Sequence, residues 1–163
     1  MQLRNLLLIC SLIISATLPA AAAVSGSTLH PAPLAAAYAS DTDLTMDNIT
    51  QAYMVLADID AKSKADPAFK AKLDGMAPSD WGSDPDASAM LSKAGVDAAT
   101  FASVFMTYMK AATAAGMIKG GADRASTIAQ MQSSDAAVDF VLNNGDALKA
   151  LDGKYPNAMV QAP

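Results

Sequence analysis

Between Leu44 and Tyr155 the large apolar residues recur at helical spacing, and no stretch alternates apolar and polar long enough to propose a strand. A first helix is predicted over Met46–Lys64, with a stripe of Ile49, Ala52, Tyr53, Leu56 and Ile59 and with Thr45 as cap candidate. Asp47 falls in its first turn and Lys62 and Lys64 in its last, as the helix dipole favours. Asp66-Pro67, a cap followed by Pro at the first helical position, announces a short second helix that Gly75 ends; Phe69 and Leu73 share a face. Met76–Asp86 reads as a loop, and a third short helix carries Met90 and Leu91 up to Gly95.

The fourth helix is the strongest element, about Ala98–Lys119, opened by Asp97 with Thr100 three residues on. Phe101, Phe105, Tyr108, Met109, Ala112, Ala115 and Gly116 form a wide apolar face, which Val104 and Met106 extend. A helix this apolar belongs at the centre of a domain. Gly120-Gly121 stops it. A short helix within Ala122–Gln132 follows, around Ile128 and Met131. Ser133 or Ser134 then caps a helix with Asp135 in its first turn and Val138, Val141 and Leu142 inward. After Asn143-Asn144-Gly145, Asp146 restarts a last helix carrying Leu148 and Leu151, and Tyr155-Pro156 closes the domain. The expected fold is all-α: a compact irregular bundle of five to seven helices of unequal length behind a flexible N-terminal leader.

The N-terminal segment reads differently. Arg4 precedes an apolar run, Leu6–Leu18, then Pro19 and the small residues Ala20–Ala23. This is the pattern of a secretory signal peptide cleaved after Ala22 or Ala23, and the run is shorter than the ~20 residues of a membrane-spanning helix. Cys10 leaves with it, so the processed chain has neither disulfide nor thiol chemistry. The expected division is signal peptide 1–23, flexible leader 24–43, helical domain 44–155 and tail 156–163, in the periplasm or outside a bacterium. The full chain has 163 residues, 16 Asp, no Glu and a charge of −5. An acidic balance without basic runs argues against nucleic acid and anionic membranes as partners.

Ala94-Gly95-Val96-Asp97, the run from Phe101 through Ala115 with its Met-x-x-Met-Lys-Ala sequence, and Ser134–Val141 together resemble a pattern of small exported all-helical bacterial proteins of unknown function, over about residues 94–151. Those positions are caps and core residues. The resemblance implies helical fold and export, and implies no activity.

Few residues offer chemistry. His30, the single His, lies in the leader, so a nucleophile–His arrangement has no base in the domain. Asp58 and Asp60 are two apart and do not face each other on a helix. Asp80, Asp84 and Asp86 surround Trp81 and are either oxygen ligands for calcium or a turn and helix caps. Asp41, Asp43 and Asp47 miss the calcium-loop pattern, whose Gly and Glu positions hold Met46 and Ala52. Met106 and Met109, three apart on one helix, are either core packing or soft ligands for Cu(I). Trp81 either plugs the end of the bundle or, with Tyr108, contacts a ligand or partner. Asn48-Ile49-Thr50 matches a glycosylation sequon on a helix. Ala111, Ala112, Ala114, Ala115 and Gly116 allow close helix approach, within the chain or in a dimer. No cofactor motif is present. The expected function is that of an exported, non-enzymatic module that binds a partner protein or serves the envelope structurally. A carrier of a small apolar ligand and a Met-based metal binder are the alternatives.

Overall fold

The computed structural model describes residues 42–156 and Ala158. The expected signal peptide, Cys10, His30, Asp41 and nearly all of the leader lie outside the described residues, as does most of the tail. Among the described residues the chain is all-α, with no strand. Its elements are α1 (Met46–Ala65), α2 (Pro67–Asp74), a 3-10 helix (Pro78–Ser83), α3 (Pro85–Ala94), α4 (Ala98–Lys119), α5 (Arg124–Met131), α6 (Asp135–Asn143) and α7 (Gly145–Lys154).

Most of these helices begin where a short oxygen-bearing side chain accepts an otherwise unpaired backbone N–H. Thr45, Asp66, Asp84, Asp97, Asp123 and Ser134 cap α1 to α6 in turn. At α1 the capping is reciprocal: Asn48 N–H donates to Thr45 Oγ1 at 3.2 Å and Thr45 N–H to Asn48 Oδ1 at 2.9 Å. Asn48 Nδ2 also donates to the Asp43 carbonyl at 2.9 Å, so the Asn of the sequon is engaged in holding the helix start. α7 starts one residue before the expected Asp146, and Asn144 at its cap position makes no side-chain cap bond. That amide instead donates back to the Phe140 carbonyl at 2.8 Å, tying α7 to the end of α6.

Three helices end alike. Val96 N–H reaches the Leu91 carbonyl, Ala122 the Met117 carbonyl and Ser133 the Ile128 carbonyl, at 3.1, 3.0 and 3.1 Å. Each closure needs a left-handed residue just before the donor. Gly95 (φ 74°) and Gly121 (φ 95°) supply it freely, whereas Gln132 (φ 50°) does so with a Cβ.

α4 lies at the centre, as expected from its composition, and α1, α3, α5, α6 and the 3-10 helix pack on it. Its buried side is turned relative to the predicted face. Phe101, Val104, Thr107, Tyr108, Ala111, Ala114 and Ala115 are buried, while Phe105, Met109, Ala112 and Gly116 are half-buried. The buried side mixes alanines, which permit close helix approach, with the large side chains of Phe101 and Tyr108.

The segment Met76–Asp86, read from sequence as a loop, is the clearest difference. It contains the 3-10 helix and the start of α3. Asp80 N–H donates to the Ala77 carbonyl at 2.8 Å and Asp84 N–H to the Trp81 carbonyl at 3.1 Å. So short a helix buries no residue fully and leaves no apolar period to read. Beside the main core, Phe69, Leu73 and Ala87 form a second small cluster, and Ile59 and Trp81 pack against both. The packed structure also reaches beyond the expected limits of 44 and 155: Thr42 Oγ1 hydrogen-bonds Ser103 Oγ, and Ala158 is buried against the main core.

Two stability changes follow. Gln132→Gly should raise the unfolding free energy by about 0.5–1 kcal/mol in urea melts by removing left-handed strain. Ala114→Leu, at a fully buried position, should lower it by about 1–3 kcal/mol through overpacking.

Candidate functional site

Reactive groups converge in one place, the junction of α1, α4 and α7. Tyr53 donates its phenol proton to Asp152 Oδ1 at 2.6 Å, and its oxygen lies 3.4 Å from the Tyr108 oxygen. Both tyrosines are fully buried. The Tyr53 ring meets Tyr108 edge-on at 6.4 Å and Tyr155 at 6.3 Å, and the Lys154 ammonium stands 5.1 Å from the Tyr155 ring centre. A tyrosine in an apolar stripe must bring its hydroxyl to a partner, which is the local reason that Tyr53 points at Asp152.

Burial is the main cause pushing the Tyr53 phenol far above its ordinary range, and its hydrogen bond to Asp152 adds to it. Burial likewise raises Tyr108. Both phenols therefore stay neutral. A neutral phenol is a weak nucleophile, and a raised pKa makes it a reluctant acid. The cluster holds α7 against α1. Sequence reading placed Tyr53 in the core and missed Asp152. The usable signal was a lone Asp four residues after Leu148, on the inward side of the last helix.

The predicted site residues fall in separate places. Trp81 lies in the 3-10 helix and stacks on Phe101 at 5.3 Å and 26°, and Phe101 continues the stack to Phe105 at 5.9 Å. Trp81 is half-buried, yet its Nε1–H is fully enclosed without an acceptor. Tyr108 takes Tyr53 as its partner, so Trp81 and Tyr108 serve different neighbours. Met106 and Met109 are half-buried on α4, and Met109 packs against the main core.

The acidic residues also separate. Asp84, with 3% of its side chain exposed, accepts from the Asp86 and Ala87 N–H groups at 3.0 Å each and pairs with Lys72 Nζ at 2.5 Å. The Lys72 hydrogen bond, then the Ala87 N–H, hold its carboxyl below the usual carboxylate range. Asp86 turns to Lys62 at 3.1 Å, and Asp80 sits in the 3-10 helix with its carbonyl accepting from Ser83. Asp58 pairs with Lys93 at 2.8 Å and Asp60 with Lys64 at 2.5 Å. Asp97 and Asp123 are lowered by N–H and hydroxyl groups of Thr100 and Ser126. Among the described residues no three His, Cys, Asp or Glu side chains gather as a metal site.

The surface carries two hollows beside these groups. One, of about 400 Å³, is lined by Lys119, Leu142, Asn144 and Asp146. The other, of about 370 Å³, lies between α1 and α3, with Asp58, Lys62, Asp86, Met90 and Lys93 around it. Both open broadly to solvent. No described helix is long and apolar enough to cross a membrane. No protein-family model, curated protein or solved structure matches this chain.

Tyr53→Phe should cost about 1–2 kcal/mol in denaturant unfolding while preserving helical circular dichroism, because a buried hydrogen bond is lost and its acceptor left behind. The neutral phenols carry a pH signature. Their folded pKa values lie above the ordinary value of 10.0, so the stabilisation they represent is complete below pH 10. It is lost as the pH rises above that value, where the unfolded chain ionises first. Tyrosinate absorbance should therefore show Tyr53 and Tyr108 titrating only together with unfolding.

Proposed function

We propose that this chain is an exported, non-enzymatic helical module, an irregular bundle of unequal helices that acts by binding a partner protein. The observation that carries this reading is the employment of the carboxylates. Asp66, Asp84, Asp97 and Asp123 cap helices. Asp58, Asp60, Asp86 and Asp135 hold cations, and Asp152 accepts from a buried phenol. Carboxylates occupied as caps, ion-pair partners and the acceptor of a buried phenol are not poised as the acid–base pair an Asp-based hydrolase needs. Tyr53 and Tyr108, further acid–base candidates, are fully buried. Export is supported by Arg4, the run Leu6–Leu18 and the alanines at 20–23.

The test is the native mass of the protein expressed in a bacterium and purified from the periplasm. A bare polypeptide lacking residues 1–22 or 1–23 is the expected result. An unprocessed chain retained in the cytoplasm would overturn export. A persistent adduct of lipid or metal mass would replace partner binding by ligand carriage.

A further inference from the structure

Residues 66–83 bury few side chains of their own and cover an apolar part of α4. Between Asp66 and Ser83, α2 contributes only Phe69 and Leu73 as buried side chains, and the 3-10 helix contributes none. Over this stretch the contact with α4 includes the Trp81 indole on the Phe101 ring and Gly82, where an added Cβ would come within 3.3 Å of Ala98 Cβ. The indole carries a cost there, because its Nε1–H is enclosed with no acceptor from the protein. Lys72 closes the segment from the other side, bridging α2 to the nearly buried Asp84 at the start of α3. Asp66 and Asp84, both in extended backbone, bound the segment as cap residues.

We infer that residues 66–83 form a cover that opens as one unit, latched by the Lys72–Asp84 pair, and that opening exposes Phe101 while releasing the Trp81 N–H to solvent. Segments with few buried apolar contacts are the ones that open sub-globally. In the closed state Met117, at 37%, is the one exposed large hydrophobic among the described residues. Protein interfaces need a desolvated apolar centre. Opening supplies it through Phe101, with Phe105 stacked behind. This use in binding rests on the partner-binding reading above; the opening itself does not.

Hydrogen exchange of the purified protein, followed by NMR, tests the opening without any partner. The Leu73 amide, the Asp84 amide and the Trp81 indole N–H should exchange through a shared event, at least about 10-fold more often than the amides of Val104 and Tyr108. Lys72→Met keeps the apolar stem and removes the latch, and should accelerate all three together by about 10-fold. Lys70→Met breaks the Lys70–Asp74 pair within α2 and should leave them unchanged. Acrylamide quenching of Trp81, the single tryptophan, should rise in the first variant only. Protection of Leu73 equal to that of Val104 would overturn the proposal. So would independent responses of the three protons, or identical effects of the two substitutions.

Discussion

A 22-residue helix with the composition of α4 cannot be left in water on any wide face, and the rest of the domain is arranged around hiding it. Ala111, Ala114 and Ala115 are fully buried and let neighbouring backbones come close, while Phe101, Tyr108, Tyr53 and Ile49 fill the core beside them. Apolar burial is worth about 25 cal/mol per Å². A cluster joining side chains from α1, α3, α4, α6 and α7 therefore outweighs the exposed ion pairs, each worth about 0–1 kcal/mol. Surface charge decorates this core; the alanine seam organises it.

Polar chemistry then decides where each element starts and stops. The chain has 16 Asp and no Glu. A carboxylate one methylene from the backbone reaches N–H groups two and three residues ahead, and four helices start on such an Asp. At α1, where a Glu or Gln would commonly close the capping box, Asn48 does so. Asp84 joins two roles, since it caps α3 and receives Lys72 from α2. Asp152 joins α7 to α1 by accepting from Tyr53. Residues that would be candidates for catalysis are used as joints.

The two cores differ in kind. The main one is large and ties α7 and the chain beyond it back to α1 and α4. The smaller one, Phe69, Leu73 and Ala87, is joined to it through Ile59 and Trp81. The two are coupled through Ile59, through Trp81 and through α3, which places Ala87 in one and Leu91 and Ala94 in the other.

Much of the local structure could be read directly from residue order. Thr45, Asp66-Pro67 and Asp97 mark helix starts and Gly95 a helix end because capping acts over two to five residues, and the apolar period of α1 and α4 is likewise local. Only the tertiary structure decided the rest. Which side of α4 is buried depends on helices docking from elsewhere: Ala111 and Ala114 are buried with Phe101 and Tyr108, while Phe105 and Met109 are only half-buried. Trp81, in the 3-10 helix, lies on Phe101 of α4, a partner no local pattern identifies. The Tyr53–Asp152 bond joins residues 99 apart, beyond the reach of any periodicity. Sequence by itself determined helix, cap and turn, whose energies are short-ranged; the pairing of surfaces depends on close-packed shape, which exists only once the chain has folded.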